Sequence, residues 1–326
     1  MRPCSRCAPP PRSTAWLSVT RSSEQWWKVW GNLIGAEGSV RGEEAGWRES
    51  QAMLRAVAAA PTGDRPQTTY LVNAGQYAWD LPLVLRALLD DARQNGGGGT
   101  QGSIDGPAIA HAYSLLHDPA HAARYLAGSD RADPTTKAEA LLQEGYAALD
   151  RGDLPEAVTP LQAFYKAWLA DPSLQYTYNF QPCFTGLALG LSGRLKDAEA
   201  VFKRVGPWSL CYAFQGEVRA RAGDVAGAQA AWAEGQRLLP DLAAVPLHRG
   251  LFELGRGDLK SAEVDIAAAA AKAPHWGDPL KAWGDLLVRE GRGKEAVGKY
   301  DEALKYAPAW TELHQARATA AHGPDA

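Results

Sequence analysis

A spacing of 34 residues recurs through the C-terminal third of this 326-residue chain. It relates Gly216, Gly250 and Gly284, and three further sets of residues follow it without an insertion. Those sets are Gly223, Gly257 and Gly291; Ala228, Ala262 and Ala296; and Pro240, Pro274 and Pro308. A fixed period of about 20–50 residues is the signature of a repeat architecture, so this spacing constrains the fold more than any other feature.

The last copy of the repeat divides into two predicted helices. Residues 280–290 form the first helix, and a glycine-containing turn at 291–293 ends it, because glycine readily adopts positive φ. Residues 294–306 form the second helix, and Pro308 ends it. Small residues such as Gly284 and Ala296 let two antiparallel helices approach closely. Each copy is therefore predicted to be a helical hairpin.

At these positions the chain resembles the tetratricopeptide repeat (TPR) family. The matching residues of the last copy are Leu280, Trp283, Gly284, Leu287, Gly291, Ala296, Tyr300, Ala303 and Pro308. Looser copies lie upstream, where Ala122, Ala157, Ala198 and Ala228 continue the rhythm with insertions and deletions. The resemblance implies an all-α, right-handed superhelical solenoid of antiparallel helix pairs. It also implies a concave face that binds peptides or protein segments, in a family that is rarely catalytic.

The same patterns divide the chain into six parts. They are an N-terminal tail, disordered or loosely docked (1–42), an N-terminal helical region or degenerate repeat (43–95), a glycine-rich connector (96–103), diverged repeats (104–208), three regular repeats (209–308), and a C-terminal capping helix with its tail (309–326). Within the tail, the Trp-rich stretch 24–34 has helical spacing and is expected to dock on the body.

Composition excludes several classes of protein. Mean hydropathy is −0.30 and no stretch approaches about 18 consecutive apolar residues, so we expect no membrane span. Net charge is −3, without the basic excess of a nucleic-acid binder. Four cysteines are too few for a disulfide framework in a chain of this length. By default we predict a cytoplasmic protein, and the Ala-, Gly- and Arg-rich composition suggests a bacterial, GC-rich genome.

The candidate binding residues follow from the resemblance. In this family the first helix of each pair lines the groove, and residues between the packing positions point into it. Here these residues are Tyr146, Leu149, Phe180, Phe184, Leu187, Phe214, Glu217, Leu247, Leu251, Lys281, Asp285 and Arg289. The middle of the groove is thus predicted to be apolar and its C-terminal end charged. It lacks the Lys, Arg and Asn clamp with which some relatives hold chaperone tails.

Three interpretations of these residues stay open. They bind an extended or helical segment of a protein partner, as an adaptor, assembly factor or regulator would. Alternatively, a neighbouring helix such as 24–34 fills the groove permanently. In the third interpretation, tight curvature makes the same side chains part of the core.

No motif predicts catalysis, a cofactor or a metal site. His117 and His121 have the spacing of a helical metal pair, but Asp118-Pro119 looks like a helix start, which places His117 in a turn. Cys4 and Cys7 lack the further ligands of a zinc site. The runner-up hypotheses are an enzyme with its site in 43–135 and a homo-oligomer stacked through uncapped apolar faces.

Overall fold

The computed structural model describes residues 24–59, 80–94 and 105–322, and these ranges contain seventeen helices and no strand. The first three helices are α1 (Glu24–Arg41), α2 (Glu43–Ala59) and α3 (Leu81–Gln94). The next five are α4 (Asp105–Leu115), α5 (Pro119–Ala127), α6 (Pro134–Asp150), α7 (Leu154–Ala170) and α8 (Pro172–Thr177). The rest are α9 (Pro182–Leu191), α10 (Leu195–Val205), α11 (Ser209–Arg221), α12 (Val225–Leu238), α13 (Ala244–Arg256), α14 (Leu259–Lys272), α15 (Gly277–Arg289), α16 (Gly293–Leu304) and α17 (Thr311–Ala321).

Consecutive helices pack as hairpins, which confirms the predicted all-α, TPR-like solenoid. The pairs are α4/α5, α6/α7, α9/α10, α11/α12, α13/α14 and α15/α16. First helices of neighbouring pairs also contact each other, as α9 contacts α11 and α11 contacts α13. The first helices therefore form one continuous inner layer along the array.

The turn between the two helices of a pair has a recurring local cause. Gly152, Gly223 and Gly257 each have positive φ, and each is followed by an aspartate. That aspartate accepts a hydrogen bond from a backbone N–H in the first turn of the next helix, as Asp258 does from Ser261. Glycine permits the left-handed turn and aspartate caps the new helix, so the dipeptide fixes where these three second helices begin.

Close packing within each pair explains the 34-residue column of glycines. A Cβ atom at Gly284 would lie 2.3 Å from Cε1 of Tyr300, and one at Gly216 would lie 2.2 Å from Nε1 of Trp232. Either distance is far inside van der Waals contact. In these two pairs, the absence of a side chain at the glycine of the first helix therefore leaves room for the aromatic ring of the second helix.

The N-terminal helices form a layer with its own small core. Ile34 of α1, Met53 of α2 and Leu88 of α3 are buried together there. The helix predicted over 24–34 thus extends to Arg41 and packs against α2. Predictions for 1–23, including the Cys4/Cys7 pair, and for the connector 96–103 lie outside the described residues.

This layer contacts the distant repeats through polar side chains. Glu43 Oε2 accepts hydrogen bonds from Ser209 N (2.9 Å) and Ser209 Oγ (2.7 Å), 166 residues away. Ser209 is the first residue of α11, and Trp208 at the N-cap position makes no side-chain cap hydrogen bond. The Glu43 carboxylate of α2 therefore caps this helix instead. Burial raises the pKa of Glu43, while these hydrogen bonds lower it.

A disulfide joins two inner-layer helices. Cys183 of α9 and Cys211 of α11 are bonded, with Cα atoms 5.3 Å apart and 28 residues between them in sequence. Both residues are buried, at 0% and 3% exposure. The expectation that no disulfide framework exists did not foresee this single cross-link between consecutive repeats.

None of the described helices combines the length and the apolar character that crossing a bilayer requires.

Candidate functional site

The inner layer lines a partly open cavity of about 310 Å³ on the concave face. Nine of the twelve predicted groove residues line it. They are Tyr146, Leu149, Phe184, Leu187, Phe214, Leu247, Leu251, Lys281 and Asp285. Because they come from α6, α9, α11, α13 and α15, the cavity is built by five consecutive pairs rather than by one local pocket.

A row of aromatic rings runs along one wall of this cavity. Tyr146 and Phe184 have ring centroids 4.6 Å apart, Phe184 and Phe214 4.8 Å, and Phe214 and His248 4.9 Å. Phe184, Phe214 and His248 each stand two residues before the close-packing glycine of their own first helix. Repeat geometry therefore places one ring per repeat along the inner surface, in tilted or edge-to-face contact with the next.

Three predicted groove residues do not line the cavity. Phe180 is 7% exposed and packs against Trp208, with ring centroids 6.1 Å apart. Glu217 is 4% exposed and accepts a hydrogen bond from His248 (Oε2–Nδ1, 2.6 Å). Arg289 donates to the carbonyl oxygen of Leu254 at 2.8 Å. These side chains contact residues next to the cavity instead of facing into it.

His117 closes the cavity between the two ends of the array. Its Nδ1 lies 2.7 Å from Asp150 Oδ2 at the end of α6, and its Nε2 lies 3.1 Å from Asp278 Oδ2 at the start of α15. Its ring stacks on Trp310, just before α17, with centroids 3.6 Å apart and planes 7° apart. One imidazole thus joins the α4–α5 turn to the last repeat. We call His117, Asp150, Asp278 and Trp310 the clasp.

Electrostatics hold the clasp histidine in its cationic form. Burial by itself lowers the pKa of His117, but the carboxylates of Asp278 and Asp150 outweigh it and raise that pKa to about 10. At neutral pH the ring therefore donates from both nitrogens. Asp150 is the last residue of α6, where the negative end of the helix dipole destabilises a carboxylate. The imidazolium of His117 offsets this repulsion.

His117 occupies the turn position that glycine fills elsewhere. It lies five residues before Ala122, as Gly152 lies before Ala157 and Gly257 before Ala262. Its φ is +57°, the only positive φ of a non-glycine residue in the described ranges. That backbone conformation costs a side-chain-bearing residue about 1–2 kcal/mol. A strained residue held by buried partners is typical of functional sites.

Charged residues continue from the clasp along one side of the cavity. Lys281 Nζ lies 2.8 Å from Asp285 Oδ2 and 5.8 Å from the centroid of the Trp310 ring. Asp285 Oδ1 accepts a hydrogen bond from Tyr300 Oη at 2.8 Å. The predicted charged C-terminal end of the groove therefore lies beside the clasp.

Two polar atoms of lining side chains have no hydrogen-bond partner among the described residues. They are Tyr146 Oη and Trp310 Nε1, on side chains that are 5% and 6% exposed. Buried donors are almost always hydrogen-bonded, so each of these atoms calls for a partner that the described residues do not supply. Both residues belong to the cavity wall.

The described N-terminal helices leave the cavity unfilled. Its lining contains no residue of α1, α2 or α3. Ile34, at the end of the stretch proposed as a plug, packs instead in the N-terminal core. The idea that 24–34 fills the groove therefore does not fit the arrangement of these helices.

A larger cleft of about 880 Å³ lies between α5, α6 and α7. Its walls are small and charged residues, including Ala123, Ala140 and Arg131, without an aromatic side chain. It offers neither anchoring rings nor convergent buried polar groups. The concave cavity is the better candidate site.

Sequence reasoning missed the clasp. It placed His117 correctly in a turn and rejected a metal pair with His121, whose Nδ1 instead lies 2.8 Å from Asp118 Oδ2. In the described ranges no group of His, Cys, Asp or Glu has a metal-binding arrangement. The available signal was a histidine in the glycine column of the turns.

No protein-family model matches the chain, and no curated protein matches it in sequence. Similar solved structures include a thermophilic TPR protein of Thermus thermophilus, TTC0263, with 23% identity and TM-score 0.43 over 56% of this chain and 98% of that one. Another is the APC/C hetero-tetramer Cut9-Hcn1, with 14% identity and TM-score 0.48 over 86% and 57%. A third is the TPR2AB domain of yeast Sti1 in a pHSP90 complex, with 13% identity and TM-score 0.32 over 92% and 100%. The helix-pair repeats of the chain itself establish its fold class.

Proposed function

We propose that this protein is a non-catalytic scaffold that binds a protein or peptide partner in its concave cavity. One observation carries the proposal: consecutive repeats place a row of rings around one cavity, with two polar atoms that have no partner among the described residues. Aromatic anchors in desolvated pockets dominate the energetics of protein interfaces. A net charge of −3 supports a peptide or protein partner over a nucleic acid.

The size of the cavity limits how a partner enters it. Small-molecule pockets measure about 300–1,000 Å³, and this cavity of about 310 Å³ lies at the lower end of that range. It holds one bulky residue of a partner more readily than an extended segment. The remainder of the partner then lies outside the clasp.

A peptide-display selection tests the proposal. Immobilised protein is panned against a random peptide library, and the recovered peptides are assayed on two variants. Leu251→Trp fills the cavity, since Leu251 lines it and is only partly buried. Val264→Trp is the matched control, because Val264 is 66% exposed on the second helix of the same pair.

The proposal expects an enriched peptide that binds wild type and Val264→Trp equally and Leu251→Trp at least about tenfold more weakly. Circular dichroism confirms that both variants fold. Enriched peptides that bind all three proteins alike would contradict a binding role for the cavity. The absence of any enriched peptide would contradict the scaffold function itself.

The disulfide bears on cellular location. We predicted the cytoplasm by default, but cytoplasmic proteins rarely keep disulfides, so the Cys183–Cys211 bond favours an oxidising compartment. Alkylation of intact cells followed by peptide mapping decides between them. Unmodified Cys183 and Cys211 support the oxidising compartment, and alkylated ones support the cytoplasm.

A further inference from the structure

We infer that the cavity recognises an apolar residue carrying a free α-ammonium group next to a carbonyl, as at the N-terminus of a peptide. This deepens the proposed function and rests on it. The inference comes from the balance of charges at the clasp, the unpartnered polar atoms and the apolar remainder of the wall.

The charged residues on the cavity wall carry an excess of negative charge. Three carboxylates, Asp150, Asp278 and Asp285, line it. The cations beside them are His117, which both Asp150 and Asp278 share, and Lys281, which pairs with Asp285. His248 contacts Glu217, a carboxylate outside the lining that also pairs with Arg221. Among the described residues that line the cavity, three carboxylates therefore share two cations.

The half-buried position of these carboxylates makes that charge effective. The side chains of Asp150, Asp278 and Asp285 are 25%, 28% and 33% exposed. A guest that displaces solvent there makes charge-assisted hydrogen bonds at low effective dielectric. Burial raises the pKa of Asp150, and Asp278 adds to this, although His117 lowers it.

The unpartnered atoms specify the other half of the ligand. Trp310 Nε1 is a donor only, so its partner must be an acceptor. Lys281, which lies over the Trp310 ring, also favours an acceptor there. An ammonium group for the carboxylates and a carbonyl oxygen for Trp310 are attached to the same Cα atom in the N-terminal residue of a peptide. The leucines and rings of the wall then receive its side chain.

Calorimetric titration of full-length protein tests this with one hexapeptide, Phe followed by five Gly or Ser residues, in two forms. The free N-terminus is expected to bind at least about tenfold more tightly than the N-acetylated form. The same composition with Phe at the third position is expected to bind as weakly as the acetylated form. Free phenylalanine and its amide distinguish an amino acid ligand from a peptide one.

Substitutions localise the effect. Asp278→Asn and, separately, Asp285→Asn are expected to weaken the free-N-terminus peptide about tenfold and leave the acetylated one unchanged. Asp301→Asn is the matched control, because Asp301 is exposed on α16 and pairs with Arg317. The acetylation comparison uses wild type, so it does not depend on any variant folding.

The possible outcomes distinguish a failure of this inference from a failure of the proposed scaffold function. A display-selected peptide whose affinity is indifferent to N-terminal acetylation overturns the inference and leaves the scaffold function standing. Binding of free phenylalanine without any peptide keeps the ammonium–carbonyl chemistry and overturns the peptide function. If none of these ligands and no selected peptide binds, both fail.

Discussion

The imidazole of His117 lies 3.1 Å (Nε2–Oδ2) from the carboxylate of Asp278, although 161 residues separate them in sequence. Contacts in a solenoid are mostly between neighbouring repeats. This one spans the array, and it is possible because the superhelix curves until the α4–α5 turn meets the start of α15. The curvature brings the two ends of the groove together around one cavity.

Two substitutions of His117 separate two contributions to the free energy of unfolding. One is the loss of the clasp contacts, and the other is the strain of the positive φ at this residue. His117→Gly and His117→Ala both leave two carboxylates facing each other, which we expect to cost about 2–3 kcal/mol, given their partial exposure. Alanine also retains the unfavourable positive φ, so it should be about 1 kcal/mol less stable than glycine. Urea unfolding measures both. Equal stabilities of the two variants would show that the turn imposes no strain.

Stability should fall as pH rises from about 6.5 to about 10. The pKa of His117 is about 10 in the folded protein, against an ordinary value of 6.5. A raised pKa means that the folded state holds a proton that the unfolded state releases. The contribution is therefore complete below pH 6.5 and disappears near pH 10. Urea midpoints of wild type and His117→Asn should converge over this interval, and a constant difference would contradict the assignment.

The turn and the clasp show what sequence can and cannot predict. The repeat columns predicted the helical hairpins because Gly284, Ala296 and Tyr300 pack within one hairpin, a local relationship. The contact of His117 with Asp278 depends on superhelical curvature accumulated over the intervening pairs. No spacing rule carries that information. Phe180 precedes α9 and packs against Trp208, and Glu217 contacts His248, so neither side chain lines the cavity.

The repeat spacing could not predict the disulfide either. Cys183 and Cys211 are 28 residues apart, in a copy shortened relative to the 34-residue period. They meet only because α9 and α11 are adjacent in the inner layer.

Removing the disulfide should destabilise the central repeats. The chain-entropy model gives about 3–4 kcal/mol for a closed loop of this length. Denaturant unfolding of wild type with and without reductant, beside Cys183→Ala/Cys211→Ala, measures it. The double variant should resemble reduced wild type and show no response to reductant. A stable variant with an unchanged midpoint would mean that the bond adds nothing.

Two glycines of the last pair make a matched test of the packing. Gly284→Ala places a Cβ 2.3 Å from Tyr300, and overpacking of this kind costs about 1–3 kcal/mol. Gly298→Ala meets no heavy atom within 4 Å and gains helix propensity, up to about 1 kcal/mol. Thermal unfolding should therefore shift in opposite directions. An unchanged melting temperature for Gly284→Ala would contradict the close packing of the Tyr300 ring against Gly284.

The indole N–H resonance of Trp310, followed by NMR as peptide is added, reports directly on the cavity. Trp310 Nε1 lacks a partner among the described residues, whereas Trp168 Nε1 donates to Tyr178 O at 2.8 Å and Trp232 Nε1 to Ala213 O at 3.1 Å. With ¹⁵N-labelled tryptophan, assigned through Trp310→Phe, a peptide with free N-terminal Phe should move the Trp310 resonance downfield and leave the other two in place. A saturating peptide that leaves Trp310 unmoved would show that binding occurs elsewhere on the solenoid.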